Sequence, residues 1–269
     1  MRYSNLFTKT KREIPTDEVS LNAQLLVRAG YIQKEMAGVY AFLPLGKLVV
    51  DKIVSIVRDE MNSIGGQEVL LGSLQNPEVW QISNRWDDEI LDVWFKTKLK
   101  NGSEVGLATT HEEPLTKIMT RYIDSYKDLP QYVFQFQNKF RNEPRAKSGI
   151  LRTREFLMKD LYSFNRSLEE QAEFYEEAKK AYFRIFQRLG LLDKTFLTFA
   201  SGGAFSKYSE EFQTICDAGE DLIYLDKNRK LALNKEVLNE EVLQDLGLKR
   251  EDLHECRAIE VGNVFKLGT

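Results

Sequence analysis

The feature that most restricts how this chain can fold is a pair of strand-like segments separated by a polar loop. Residues 133–140 and 156–164 are rich in aromatic and branched side chains, whereas residues 142–153 are polar and contain Pro144 and Gly149. This pattern predicts an antiparallel hairpin with a mobile basic tip. Six cations lie within sixteen positions: Lys139, Arg141, Arg145, Lys147, Arg152 and Arg154. A solvated charged loop is the alternative interpretation of this cluster.

Helices and further strands are expected around the hairpin. Helices are predicted over 20–29, from Pro44 to the pair Gly65 and Gly66, and from Ser167, with a capping box to Glu170, to Gly190. The apolar stripe of the second helix is Leu45, Leu48, Val49, Ile53, Ile56 and Val57. The buried face of the third is Tyr175, Ala178, Tyr182, Ile185, Phe186 and Leu189. Strands are predicted over 68–74 and 259–267, and the polar segment 228–253 is predicted to be helix-prone. Because strands and helices do not alternate regularly, the expected fold class is α+β.

Composition excludes several classes of protein and site. The net charge of −3 means that a nucleic-acid partner would be met by a local basic surface. No apolar run approaches the roughly 18 residues that span a bilayer, and no secretory signal is visible, so a cytoplasmic location is expected. The two cysteines form no C-x-x-C pair and there are only two histidines, so no metal site is expected.

Side-chain parity on the hairpin points to a nucleotide site. Alternate residues of a strand share a face, which groups Arg141 with Glu143 on the first strand. The second strand groups Arg152, Phe156, Met158, Asp160 and Tyr162. Guanidinium groups suit phosphate oxygens, an aromatic ring stacks on a base, and a carboxylate accepts the adenine amine protons. The chain contains neither G-x-x-x-x-G-K-[ST] nor G-x-G-x-x-G, so this would be a site without a glycine-rich cradle.

The hairpin resembles a known motif. FRNEP, the loop, and RTREFLMKD are similar to motif 2 of class II aminoacyl-tRNA synthetases, at Phe140, Arg141, Glu143, Arg152, Phe156 and Asp160. The resemblance implies that Arg141 holds the α-phosphate of ATP and Arg152 the γ-phosphate. It also implies that Glu143 binds the adenine amine and that Phe156 stacks on the purine.

Further segments are similar to the prolyl-tRNA synthetases of bacteria and organelles. They are ATTHEEP, REFLMKDLYSF, GGAFSKYSEEF followed by AGEDLIY, and, between Gly38 and Trp86, LPLG and EVWQISNRW. The resemblance implies activation of proline with ATP and Mg²⁺ and its transfer to tRNA(Pro). The carboxylate nucleophile is already ionised, so no general base is required. Glu112 would neutralise the proline ammonium and Thr110 would hydrogen-bond it, in a pocket completed by Met158, Asp160 and Tyr162. His111 is interpreted as structural.

The chain departs from the family pattern in its motif 1 region and near the amino-acid site. Gly72 stands where motif 1 usually has a proline, in the region through which a homodimer is implied. The family's Ser-His-Glu-Phe appears as Ser209-Glu210-Glu211-Phe212, which adds negative charge beside the implied site.

The expected domain plan is a catalytic core over 1–225, a short segment over 226–258 in place of the editing insertion, and a return strand over 259–269. Motif 3 and the anticodon-binding domain are not found in these residues, and part of the Mg²⁺ ligand set is expected to lie there. The isolated chain is therefore expected to activate proline poorly.

Three alternatives remain open at this stage. A non-catalytic paralogue used as a binding or regulatory module fits the absence of motif 3 and the presence of Glu210. The retained Arg141, Glu143, Arg152 and Phe156 argue against it. A threonyl or seryl enzyme is less well supported, because threonine recognition usually uses a zinc site. An unrelated nucleotide-binding domain is the third alternative.

Overall fold

The computed structural model describes residues 2–144, 146, 148–201 and 208–268. The helices are α1 (Leu21–Arg28), α2 (Pro44–Ser63), α3 (Pro77–Ile82), α4 (Glu112–Met119), α5 (Leu168–Arg188) and α6 (Glu240–Asp245). The strands up to the hairpin are β1 (Ile32–Met36), β2 (Val39–Phe42), β3 (Gln67–Glu68), β4 (Leu74–Gln75), β5 (Phe95–Lys98), β6 (Glu104–Leu107), β7 (Gln131–Phe140) and β8 (Glu155–Phe164). The later strands are β9 (Thr195–Ser201), β10 (Tyr208–Ile215), β11 (Asp221–Asp226), β12 (Leu231–Asn234) and β13 (His254–Val264). Within the described part of the chain, none of the helices combines the length and apolar character needed to span a bilayer.

The α+β prediction is confirmed by this arrangement of helices and largely antiparallel sheets. The chain divides into two compact units, Met1–Gln171 and Ala172–Thr269. This division falls elsewhere than the boundaries expected from the sequence, and the assignment of 1–225, 226–258 and 259–269 to functional domains stays a prediction.

The first unit is built around the hairpin of β7 and β8. The two strands pair antiparallel over ten positions, from Gln131↔Phe164 to Phe140↔Glu155, as the strand, polar loop and strand pattern predicted. Strand β3 pairs parallel with β7, whereas β4, β6 and β5 form a separate antiparallel sheet. The side chains of Trp80, Phe134 and Met61 are almost fully buried in this unit.

Helix α2 begins and ends where the sequence predicted. Pro44 occupies the first turn, and the helix stops at Ser63, just before Gly65, which has a φ of 84°. Part of its predicted apolar stripe is not covered, however, because Leu48, Val49 and Ile53 each keep 40% or more of their surface exposed.

The second unit is a closed barrel of five strands in the order β10, β13, β11, β12 and β9. All its pairs are antiparallel except that of β12 with β9. The ring of Phe212 stacks on Tyr182 of α5 with centroids 4.9 Å apart, and its other aromatic neighbours are Phe183 and Phe186. The buried face predicted for α5 is confirmed at Tyr175, Ala178, Ile185 and Phe186.

The strand predicted over 68–74 is wrong, because the chain there leaves one sheet and joins another. Strand β3 ends at Glu68 and β4 begins at Leu74. Between them, the Leu71 N–H donates to the side-chain oxygen of Gln135 at 3.0 Å, and the Leu71 carbonyl accepts from the Gln137 amide. Side chains of β7 thus replace the strand partners that a continuous β-strand would need.

The segment predicted to be helix-prone is also partly wrong. Residues Leu231–Asn234 form β12, and only Glu240–Asp245 is α-helical, while β13 starts at His254 rather than at 259.

At the start of α5, the Glu170 N–H donates to the Ser167 hydroxyl at 3.2 Å, as a capping residue requires. The Glu170 carboxylate accepts from the backbone N–H and the guanidinium of Arg166.

Gly46 gives a direct test of the packing of α2. An alanine inside a helix normally stabilises it by roughly 1 kcal/mol relative to glycine. At Gly46, a Cβ would overlap the carbonyl oxygen of Tyr31, which already accepts from the Leu43 N–H at 2.9 Å. We expect Gly46→Ala to lower the free energy of unfolding by about 1–3 kcal/mol in urea denaturation. Ser55→Ala, at an exposed position of the same helix, should stay within about 0.5 kcal/mol of the parent, and a stabilised Gly46→Ala protein would contradict the packing.

Candidate functional site

One face of the hairpin collects the residues that parity grouped together. Opposed residues of an antiparallel pair share a face. The register pairs Lys139 with Phe156, Gln137 with Met158, Gln135 with Asp160, and Val133 with Tyr162. The second-strand residues predicted to face one way therefore lie on the same side as the odd-numbered residues of β7. This convergence is the geometric condition that the sequence interpretation required.

The open end of the hairpin carries the two arginines and the ring. The guanidinium carbon of Arg141 lies 5.3 Å from the centroid of the Phe156 ring. The Arg152 Nε donates to a Glu143 carboxylate oxygen at 2.9 Å; the Arg152 side chain is 49% exposed and that of Glu143 is 13% exposed. Two cations, one carboxylate and one aromatic face thus lie together at this end, a combination suited to a triphosphate and a purine.

The described part of the loop between the strands is bonded to α1, and the mobility expected of its tip stays a prediction. Residues Gly149–Leu151 form a 3₁₀ turn, and the side chain of Asn22 hydrogen-bonds to the loop backbone. Arg154 donates to the carbonyl oxygens of Ala37 and Glu143. Two other cations of the basic cluster, Arg145 and Lys147, lie outside the described residues.

The side chain of Lys139 is completely buried, so the alternative interpretation of the basic cluster as a solvated loop does not hold for this residue. Its ammonium nitrogen lies 3.0 Å and 3.1 Å from the two carboxylate oxygens of Asp160 and also contacts Nδ1 of His111. Burial lowers the pKa of the Lys139 ammonium, while the Asp160 carboxylate acts in the opposite direction. A buried charge of this kind is tolerated only when it is paired and hydrogen-bonded.

His111 is held as a neutral ring with its proton on Nε2. Nε2 lies 3.1 Å from the carbonyl oxygen of Gly72 and must donate to it, which leaves Nδ1 to accept from the Lys139 ammonium. Burial lowers the pKa of the His111 imidazole below its usual value, and the charge of Lys139 lowers it further. The structural role expected of His111 matches these contacts.

Asp160 is surrounded by donors from the protein itself. Besides Lys139, the Gln135 amide donates to Oδ2 at 2.9 Å and the Tyr162 hydroxyl donates at 2.9 Å. Burial, reinforced by the carboxylates of Glu112 and Asp160, raises the pKa of the Tyr162 hydroxyl well above its ordinary value. Tyr162 therefore stays protonated and Asp160 stays fixed in one orientation.

The other end of this face, away from Arg141 and Phe156, lies where α4 begins. The Thr110 hydroxyl lies 2.6 Å and 2.7 Å from the two carboxylate oxygens of Glu112, and the Tyr162 hydroxyl lies 3.3 Å from one of them. Arg85 binds Glu113 at 2.9 Å and Glu112 at the longer distance of 3.3 Å. Glu112 is thus left with a carboxylate that is only partly neutralised and 25% exposed.

Several residues of this network were missed by the sequence interpretation. The contacts of Arg85 could not be predicted, because its position in a turn before β5 does not indicate which residue it binds. Gln135, Gln137 and Lys139 did give a signal: three polar side chains occupy alternate positions of β7 and share the parity of Arg141. Met158 lies opposite Gln137, partly buried, on the predicted face.

In the second unit, the negative charge of Glu210 is compensated. Lys179 of α5 lies 3.0 Å from one carboxylate oxygen of Glu210 and 3.1 Å from the other. The substitution of glutamate for histidine therefore adds an ion pair to this unit rather than an isolated charge. The preceding residues 202–207, part of the GGAFSKYSEEF resemblance, lie outside the described residues.

Comparison with known proteins identifies relatives. The model of the tRNA synthetase class II core domain family (G, H, P, S and T) matches residues 95–267. A proline–tRNA ligase of Dehalococcoides mccartyi is 42% identical over 253 residues, which are 91% of this chain and 44% of that protein. One of Streptomyces griseus is 44% identical over 237 residues, 88% of this chain and 41% of that protein. The chain thus spans less than half the length of these curated relatives.

A solved structure shares the fold. Prolyl-tRNA synthetase from Cryptosporidium parvum, complexed with L-proline and AMP, superposes with a TM-score of 0.62 at 16% identity. The match covers 92% of this chain and 51% of that one.

The tautomer and pKa of His111 can be measured directly, because the chain has only one other histidine, His254. We expect the His111 ring to stay neutral, with its proton on Nε2, in nitrogen-15 NMR spectra down to a pH clearly below 6.5. As pH falls below about 6.5, the His111 imidazole of the unfolded chain takes up a proton, whereas that of the folded chain stays neutral. The free energy of unfolding therefore falls by up to about 1.4 kcal/mol per pH unit. His111→Gln should flatten that decline, whereas His254→Gln, at an exposed position, should not. A His111 ring that titrates at pH 6.5 or above would contradict the buried pair.

Proposed function

The chain belongs to the class II tRNA synthetase core domain family, and from that premise we propose that it activates proline with ATP for transfer to tRNA(Pro). The observation that carries the proposal is the single hairpin face, which has Arg141 and Phe156 at one end and Tyr162, reaching Glu112, at the other. The names of its relatives support proline as the amino acid.

The proposed reaction needs positioning and charge stabilisation rather than proton transfer. A carboxylate oxygen of proline attacks the α-phosphorus of ATP, and the bond to the β-phosphate breaks, so that pyrophosphate leaves with the electron pair. Phe156 offers its ring to the purine, and Arg141, whose guanidinium carbon lies 5.3 Å from the centroid of that ring, binds the α-phosphate. Arg152 meets the γ-phosphate while Glu143 accepts from the adenine amine. Fixed cations placed where charge develops lower the barrier.

Proline recognition is proposed at the end of the face formed by α4. The secondary ammonium of proline binds Glu112, whose charge Arg85 neutralises less closely than it does that of Glu113. Thr110 adds a hydrogen bond, and Met158 and Tyr162 line the ring. Asp160, which the sequence placed among the proline contacts, acts instead by fixing Tyr162 and Lys139.

Mg²⁺ enters the proposal as the ion that accompanies ATP. Over the described ranges, the chain brings together no group of three or more His, Cys, Asp or Glu side chains that could hold a metal ion. These residues alone do not form a magnesium site, and the phosphate oxygens would be the main ligands. A cytoplasmic location and tRNA(Pro) as partner belong to the same proposal.

A homodimer through the motif 1 region is supported by exposed apolar side chains. Leu48, Val49 and Ile53 line one face of α2, and Leu70 and Leu74 follow in the segment that joins the two sheets; all are 40% or more exposed. Exposed apolar side chains in such numbers are typical of an interaction site. We propose that a second copy of the chain covers it.

Arg141→Ala tests the catalytic assignment. We expect it to reduce proline-dependent exchange of pyrophosphate into ATP by about 10²–10³, because a charge-stabilising donor is lost. The assay uses a full-length protein that contains this chain, with proline compared against threonine, serine, glycine and histidine. Arg166→Ala is the matched control, since it removes an exposed arginine paired with Glu170 at the other end of β8. Near-normal exchange in the Arg141→Ala protein would reject the role assigned to Arg141, whereas a parent protein without proline-dependent exchange would favour a non-catalytic module.

Leu70→Glu tests the proposed dimer. Leu70 is 74% exposed, and a carboxylate there would be buried without a partner at an interface. We expect the dissociation constant measured by analytical ultracentrifugation to rise at least about tenfold. Ile82→Glu, at a position 84% exposed outside the proposed surface, is the control and should leave it unchanged. Equal masses for the Leu70→Glu and parent proteins at all concentrations would rule this surface out.

A further inference from the structure

The loop between β7 and β8 is held from one side by a single asparagine of α1. The Asn22 amide donates to the Ser148 carbonyl oxygen at 3.0 Å, and its oxygen accepts from the Ile150 N–H at 3.1 Å. One side chain therefore satisfies two backbone groups of a segment that lies more than 120 residues away. Asparagine suits this task because its amide carries both a donor and an acceptor.

Between these two groups, Gly149 makes the contact tight. Its φ is +62°, in the left-handed region, and a Cβ there would overlap the side-chain oxygens of Asn22 and Ser20 and lie 3.0 Å from the Cβ of Ala23. The backbone of the loop thus lies directly against the first turn of α1, with no space for a side chain between them.

The other side of the loop is held by the turn between β1 and β2. The Arg154 N–H donates to the Gly38 carbonyl oxygen at 2.7 Å, and its guanidinium donates to the Ala37 carbonyl oxygen at 2.8 Å and to the Glu143 carbonyl oxygen at 3.1 Å. A Cβ on Gly38 would come within 2.6 Å of that of Ala146. Both ends of the loop are therefore tied through Arg154 to one turn.

We propose that Asn22 and Arg154 are positioning residues that fix this loop for the phosphates of ATP. The inference rests on the proposed function, because it gives the loop residues Glu143 and Arg152 their ligand. Arg152 is half exposed and its guanidinium is directed by Glu143, whose backbone Arg154 holds. Without these contacts, the loop would have to be ordered when ATP binds, at a cost in conformational entropy.

The two substrates should respond differently. Thr110 lies just before α4, and Glu112 is the first residue of that helix. The Glu112 carboxylate is bound by Thr110, Tyr162 and Arg85, whereas the Asn22 side chain binds the loop backbone. Loosening the loop should therefore raise the KM for ATP and leave the KM for proline unchanged. A general loss of folding would change both.

The first measurement needs no substrate. The loop contains trypsin sites at Arg145, Lys147 and Arg152. In the Asn22→Ala protein we expect limited trypsin digestion to cleave the loop about tenfold faster than in the parent, since two hydrogen bonds that close it are gone. Asn22→Asp keeps the acceptor for the Ile150 N–H and loses the donor, so its rate should be intermediate. Gln33→Ala, at an exposed position of β1, is the control and should cleave at the parent rate.

The second measurement is kinetic, in a full-length protein containing this chain. We expect Asn22→Ala to raise the KM for ATP in pyrophosphate exchange about tenfold, with the KM for proline within about twofold of the parent. Unchanged cleavage in the Asn22→Ala protein would overturn the inference. Faster cleavage with an unchanged KM for ATP would overturn the positioning role and leave the proposed function standing. A parent protein without proline-dependent exchange would reject the proposed function and, with it, the role of Asn22 in ATP binding. The cleavage rate in trypsin would still show whether Asn22 holds the loop.

Discussion

The buried ammonium of Lys139 is the constraint on which the arrangement of the first unit depends. A charge with no exposed surface must be neutralised and hydrogen-bonded, or the group must lose its proton. Asp160 supplies the charge from the paired strand, and His111 supplies a neutral acceptor from the segment before α4. Satisfying one side chain therefore fixes the position of β8 against β7. It also fixes the start of α4 against both strands.

The same network reaches the backbone that joins the two sheets. His111 donates to the carbonyl of Gly72, and Gln135 links Asp160 to the N–H of Leu71. The segment beside the proposed dimer surface and the loop that presents Glu112 thus share one chain of hydrogen bonds. The proposed proline contacts are held by rigid elements, while the phosphate contacts lie on a loop that needs its own support. Under the proposed function, this division gives each of the two substrates its own positioning residues on one hairpin.

Local pattern was sufficient to predict much of this fold. Two strand-like segments around a polar loop predicted the hairpin, side-chain parity predicted which residues share one of its faces, Pro44 marked the start of α2, and Ser167 marked the start of α5. What could not be predicted are contacts whose partners are far apart in sequence. The strand expected over 68–74 breaks because Gln135 and Gln137 take its backbone groups.

For the same reason, two further contacts could not be predicted: the hydrogen bonds of Asn22 to the loop backbone and the ion pair of Glu210 with Lys179. The burial of Lys139 could not be predicted from its place in the basic cluster, because composition does not report the depth of a side chain. The roles assigned to individual substrate-binding residues stay predictions.

A double-mutant cycle on Lys139 and Asp160 tests the central constraint most directly. Free energies of unfolding would be measured in urea for the parent, Lys139→Met, Asp160→Asn and the double variant. The account predicts that Lys139→Met alone costs roughly 3–5 kcal/mol, because it leaves a buried carboxylate without its cation. It also predicts that adding Asp160→Asn restores part of that loss, giving a coupling energy above about 1 kcal/mol. Additive losses in the double variant would contradict the account, because the two charges would then not depend on each other.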